Sequence, residues 1–269
     1  MMKAKELLPK RTADSNKGTY GKLLIIAGKK ECAGCAILSS LAALRSGLGM
    51  VKVVSPNSNF TAVMNTVPEA LFSSDTDDAS IRDDIAWADA VLIGPGIGTG
   101  NRAKRLVNLV LSSRDIPVVI DADGINVIAL NDQLKKALKK KAESDEVVIT
   151  PHLMEMSRLC GLPVPEIKKQ MKEIAAKISD EYGVTTALKD AATVTSSPEG
   201  EIVVNTTGNN GMSTAGSGDV LAGVVGSFLT QSLPGVEAAS LGVYVHGLAG
   251  DVAAEKYGVR GMKALDIAE

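Results

Sequence analysis

Residues 208–219, GNNGMSTAGSGD, run straight into the apolar segment VLAGVVGSFL. Gly216 and Gly218 lack a Cβ, so the backbone there can turn tightly and approach a ligand closely. The segment that follows reads as a buried helix of small residues, which makes residues 216–219 its first turn. Unpaired N–H groups and the positive end of the helix dipole converge on such a turn, a ready site for an anion such as phosphate. Asp219 is the odd member. A carboxylate is stable at a helix N-terminus, but beside a phosphate it repels the ligand unless it has chemistry to do. Two readings stand: a plain cap after a flexible loop, or a base that takes a hydroxyl proton during phosphoryl transfer. Lys189 offers a point charge to meet the phosphate.

The elements that must position these groups alternate along the chain. Apolar strand candidates are 23–28, 50–55, 89–94, 117–122, 146–150 and 184–189, with helical patterns at 34–47, 101–113, 131–141, 155–160 and 165–181 between them. Continuous apolar strands such as VLIG and PVVID imply burial on both faces, hence an α/β fold with a mostly parallel sheet and helices on each side. A β-hairpin follows, TVTSS-PEG-EIVVN, and two small-residue helices at 219–231 and 235–256 close the chain. With no linker or repeat, one domain over 1–269 is expected.

Ligands of such sheets sit beyond the carboxyl ends of the strands. Here those ends carry Gly94-Pro-Gly96-Ile-Gly98, Asp121-Ala-Asp123, Pro151-His152 and Lys189-Asp190. Each alone is ordinary turn chemistry; together they predict a ligand site on one rim. GPGIG is a poor dinucleotide fingerprint because of Pro95, and no GxxxxGK[ST] phosphate loop occurs.

Composition narrows the class. The chain has 269 residues, 45% hydrophobic, enough for a sizeable core. A formal charge of −2 and 3% aromatics argue against nucleic acid and anionic membrane. The first residues show no apolar leader, no stretch is apolar enough to span a bilayer, and three cysteines suit a reducing cytoplasm. Cys32 and Cys35 form a CxxC at a helix start, read either as a redox or metal pair or as small residues packing that start against the sheet.

The series KGTYGKLLIIAG, AALRSGLGMVKV, GPGIG, DADGIN, ITPHxxEMSRL, LKxAxTV and NTTGNNGMSTAGSGDVLAG resembles the ADP/ATP-dependent NAD(P)H-hydrate dehydratases of the ribokinase-like fold. The likeness runs in order from about residue 11 to about 266 and leaves no length for the epimerase domain some members carry. It implies conversion of hydrated NADH or NADPH (NADHX, NADPHX) back to the intact cofactor, with ADP or ATP as phosphate donor. By resemblance, Asp219 is the catalytic proton acceptor and touches the hydrate. Ala36, Gly96, His152, Glu155 and Arg158 match hydrate-binding positions. Lys189, Asp190, Ala191, Ala192 and Thr193, with Gly216, Ser217 and Gly218, match nucleotide-binding positions. Asp121 and Asp123, with Glu155, would help place Mg²⁺ through water. A homotetramer is implied as well. The chain departs from the family pattern at Asp190, where a Gly is usual, and at Leu153-Met154 in place of Pro-Gly. A carboxylate at 190 disfavours phosphates unless it points away or meets a metal. Two other readings stay open: a hydroxymethylpyrimidine or hydroxyethylthiazole type of kinase with the same fold, and a nucleotide-binding protein without turnover.

Overall fold

The computed structural model describes residues 8 and 10–269; residues 1–7 and 9, on which part of the expectation about a leader falls, lie outside the described residues. Nine strands form one sheet: β1 (Lys22–Ile26), β2 (Met50–Ser55), β3 (Leu71–Ser74), β4 (Ala90–Ile93), β5 (Val118–Ile120), β6 (Val147–Ile149), β7 (Thr185–Leu188), β8 (Val194–Ser196) and β9 (Ile202–Val204). Their order is β3-β2-β1-β4-β5-β6-β7-β8-β9. The first seven run parallel, while β8 and β9 pair antiparallel as the expected hairpin.

Side chains alternate across a strand, and each face of this sheet has its own core. Ile93, Ile120 and Ile149 face one layer, built by α3 (Asp78–Trp87), α4 (Asn101–Leu111), α5 (Asp123–Ala129), α6 (Asp132–Ala142), α7 (Leu153–Cys160), α8 (Val164–Lys169) and α9 (Met171–Tyr182). Leu92, Val119, Val148 and Ala187 face the other, built by α1 (Gly34–Arg45), α10 (Ser217–Thr230), α11 (Gly235–Tyr257) and α12 (Ala264–Ala268). The fully buried Phe228, Leu92 and Ile25 anchor this second core.

Five elements went unanticipated: a short helix α2 (Phe60–Thr66), the edge strand β3, α3, and the short helices α5 and α12. Strand β3 (LFSS) is only half covered and so lacks the apolar run of an inner strand. Helix α3 buries little beyond Ile81 and Ile85, one turn apart, although Asp77 caps it through Ser80 N at 2.8 Å. The helix expected over 165–181 is broken at Gln170 (φ −134°, ψ 43°), which ends α8 and starts α9. Among the described residues no helix is long and apolar enough to cross a membrane.

Candidate active site

In the parallel ladder Ile93 pairs with Ile120 and Ile120 with Ile149, so the residues after these strands stand in a row. Two steps along a strand restore the facing. Asp121 therefore faces the side that Val119 faces, Thr150 that of Val148, and Lys189 that of Ala187, which is the side of α10. Lys189 N donates to Pro151 O at 2.8 Å and carries this register one residue past the sheet. Its Nζ then lies 2.7 Å from Asp121 Oδ1, which also accepts from Thr150 Oγ1 at 2.7 Å. Burial works against the lysine charge, but Asp121, then Glu155 and Asp219, hold it above the ordinary lysine range.

Above this pair sits the start of α10. Gly216 turns the chain with φ 93°, a left-handed conformation that suits glycine. Ser217 N donates to Thr214 O and Val220 N to Gly216 O, whereas Gly218 N and Asp219 N find no acceptor among the described residues. A Cβ on Gly218 would lie 3.4 Å from Lys189 Nζ, so the lysine ammonium and the two free N–H groups share one spot. This is where the sequence places its expected anion site. The backbone of Asp219 is fixed from α1, whose Ser39 Oγ donates to Asp219 O at 2.9 Å. Its carboxyl is pushed up to about 7, first by burial and then by Asp121, against the pull of Lys189.

His152 caps α7. Its Nδ1 accepts from Met154 N (3.0 Å) and Glu155 N (3.2 Å), while Glu155 Oε2 accepts from His152 N (2.8 Å). Together they form a capping box at the start of α7, despite Leu153-Met154 in the first turn. With Nδ1 committed as acceptor, the neutral ring carries its proton on Nε2, 3.1 Å from Glu155 Oε1. Burial, then Lys189, lower the His152 pKa. Glu155 is raised to about 7, chiefly by burial, with Lys189 opposing and Asp121 adding to it.

Of the other expected hydrate positions, Gly96 neighbours Asp219 through Cys35. Gly96 (φ 64°) packs so near Cys35 that a Cβ would meet its Sγ at 2.5 Å. Burial and the Asp219 carboxylate push the Cys35 thiol up to about 12. It is a packing residue beside the site, and all three cysteines are free thiols. Gly98 N donates to Asp123 Oδ2 at 2.8 Å, and Arg158 on α7 reaches Asn126 Oδ1 at 2.8 Å. Ala36 is the exception: at 0% exposure it has no surface to offer a substrate, because α1 buries it against the second core.

On the other side of Lys189 opens a cavity of about 760 Å³. Of the expected nucleotide positions, Lys189, Asp190, Ala191, Thr193, Ser217 and Gly218 line it, while Ala192 and Gly216 do not. The Asp190 carboxylate meets a cation, Lys168 Nζ at 3.2 Å, so its charge is balanced within the protein. Three features escaped sequence reading: Thr150 under Asp121, the polar wall formed by Asn205 and Thr207, and the buried His246 on α11. Only the place of Thr150 one step before Pro151-His152 hinted at any of them.

For Mg²⁺ the donor set is telling. Among the described residues no three His, Cys, Asp or Glu side chains gather to hold a metal by themselves. Asp121 Oδ1 and Asp123 Oδ2 are committed to Lys189 and Gly98, and their second oxygens accept no hydrogen bond from the described residues. Such a set fits an ion carried mainly by phosphates and water, which is the usual state of Mg²⁺ at a nucleotide.

A mostly parallel sheet with helices on both faces is the ribokinase-like fold. The chain belongs to the NAD(P)H-hydrate dehydratase family, whose profile matches residues 23–269. It is 36% identical to the ADP-dependent (S)-NAD(P)H-hydrate dehydratase of Neisseria meningitidis, over 96% of this chain and 86% of that one. It is 37% identical to the bifunctional NAD(P)H-hydrate repair enzyme of Moorella thermoacetica, over 97% of this chain and 50% of the relative. The chain thus spans about half the length of the bifunctional relatives it matches. The Bacillus subtilis ADP/ATP-dependent NAD(P)H-hydrate dehydratase, co-crystallised with ATP/Mg²⁺, superposes with a TM-score of 0.84 at 28% identity, covering 98% of this chain and 92% of that one.

Proposed function

We propose that the protein dehydrates hydrated NADH or NADPH to the intact cofactor, using ADP or ATP. The observation that carries this reading is the surroundings of Asp219. It follows Gly218, which lines the large cavity beside Lys189, and its charge acts on Cys35, against which the Gly96 loop packs. A nucleotide in the cavity would present its terminal phosphate to the free N–H groups of Gly218 and Asp219 and to Lys189. The hydrate would enter from the Gly96 and Arg158 side, while His152 lines the cavity itself.

The chemistry then has two steps. The hydrate hydroxyl attacks the terminal phosphorus, Asp219 takes the hydroxyl proton, and the shortened nucleotide leaves. Lys189 and the two N–H groups hold the charge that builds on the transferring phosphoryl oxygens. The ring nitrogen lone pair next expels phosphate from the adjacent carbon, and loss of a proton from the neighbouring carbon restores the ring double bond. Mg²⁺, held by the phosphates with Asp121 and Asp123 through water, would neutralise phosphate charge.

The same reading takes the protein as a cytoplasmic homotetramer. The free cysteines support the location, and the exposed Leu248 and Val252, one turn apart on α11, support an assembly surface. The test is to mix purified protein with hydrated NADH, Mg²⁺ and either ADP or ATP, then follow the return of reduced-nicotinamide absorbance. Nucleotide-dependent return is expected. Its absence in a protein that binds nucleotide would sink the dehydratase reading.

A further inference from the structure

The chain has two histidines. His152 caps a helix, and the reaction above leaves His246 without a task. His246 projects from α11 and is only 8% exposed, yet it lines the nucleotide cavity. Its Nε2 lies 3.3 Å from Oγ of Ser217, the first residue of α10, which lines the same cavity. Ser217 spends its backbone N–H on Thr214 O, so its hydroxyl is the group it can still offer. The next two residues are Gly218 and Asp219, whose N–H groups are free.

A hydroxyl and an imidazole nitrogen can share a hydrogen bond in two directions. If Ser217 donates to His246, the serine shows only lone pairs to an anion and repels it. If His246 donates its Nε2–H to Ser217 Oγ, the serine proton is released to point elsewhere. A phosphate oxygen can only accept, so a bound polyphosphate selects the second arrangement. Burial also pushes His246 down to about 4, so the ring stays neutral and contributes one directed N–H instead of a charge.

We propose that His246 is a positioning residue: by donating to Ser217 Oγ, it makes the serine hydroxyl a third donor to the phosphates, beside the N–H groups of Gly218 and Asp219. The inference rests on the nucleotide-dependent reading above, and it predicts that the two side chains act in series.

The experiment is a titration of ATP and of ADP into wild type, Ser217→Ala, His246→Leu, His246→Gln and the double variant Ser217→Ala/His246→Leu. Each of the first two variants should weaken binding about tenfold, the scale of one hydrogen bond to a charged group. The double variant should be no weaker than either single one. His246→Gln, whose amide N–H reaches about as far as Nε2, should recover most of the affinity. In turnover, His246→Leu should raise the nucleotide KM and leave the hydrate KM unchanged. Additive losses of about a hundredfold, a His246→Leu variant that binds normally, or a Gln variant as weak as Leu would each overturn the proposal. A wild type that binds nucleotide but restores no hydrated cofactor would sink the dehydratase reading, and the coupling result would still judge the pair. A wild type that binds neither nucleotide would sink both.

Discussion

Asp121→Asn asks whether the acids of the rim are tuned by one another. The amide keeps an acceptor for Lys189 Nζ and Thr150 Oγ1, both 2.7 Å away, and removes only the charge. Asp219 stands at about 7 against an ordinary 3.8, and Asp121 is the largest cause after burial, with Asp123 behind it and Lys189 opposing. The rise is roughly three pH units, so taking away one of two carboxylate neighbours should return about one, or about 1.4 kcal/mol. A base must be ionised to act, so kcat/KM for the hydrate should climb with pH through about 7 in the wild type. In the variant the climb should centre near pH ~6. Glu155, also at about 7, is raised by Asp121 too, so the direction is the same whichever carboxyl the profile reports. The assay is return of reduced-nicotinamide absorbance from about pH 5 to about pH 9 at saturating nucleotide. A midpoint that stays put or moves upward would refute the reasoning.

Asp219→Asn should cut turnover by about 10²–10⁴ while nucleotide titrations stay close to wild type. The same substitution has a stability signature. A raised carboxyl binds its proton more tightly in the folded than in the unfolded chain, so its stabilising effect is full at low pH and lost as pH rises through about 7. The Asn variant should therefore melt above wild type at pH ~8 and level with it near pH ~4; the opposite order would mean that Asp219 is not held up by its surroundings. Lys141 Nζ meets Asp145 Oδ2 and Ser113 O, both at 2.9 Å, with both side chains of the ion pair buried. Lys141→Met leaves Asp145 unpaired and should cost about 3–5 kcal/mol in denaturant unfolding, far from the rim and with little effect on KM. A Cβ at Gly94 (φ 130°) would fall 1.8 Å from Asp121 O, so Gly94→Ala should cost about 3 kcal/mol or more in thermal unfolding. It should also lower kcat by displacing Asp121.

The sheet was legible because its inner strands are continuous apolar runs, and periodicity reports burial on two faces directly. The tight turn at the start of α10 was legible because Gly216 and Gly218 flank Ser217 just before an apolar helix, a spacing whose backbone consequences are local. What escaped depends on partners far along the chain. Thr150 matters through Asp121, 29 residues away, and His246 through Ser217, 29 residues away. Nothing in the types around either residue announces these pairs. Strand β3 and α3 escaped for a different reason: an edge strand and a solvent-facing helix bury too little to leave a pattern. Asp190 looked unfavourable in one dimension, because its counterion Lys168 comes from α8 and is visible only once the chain is folded.

The hydrogen bond from Ser39 to Asp219 closes over 180 residues of chain. Such a contact forms late, since a long loop must be closed before it gains anything. During synthesis the rim that carries Asp121, Thr150 and Lys189 can assemble on its sheet while α10 is still being made. A nascent chain of that length has the lysine and the acids but no N-terminal turn to receive a phosphate and no base to take a proton. The chain thus gains Asp219 late, when α10, α11 and α12 join α1 on a face of the sheet whose remaining apolar surface is open until then. That uncovered face, rather than the finished site, is where the chain is most exposed to aggregation on its way to the native state.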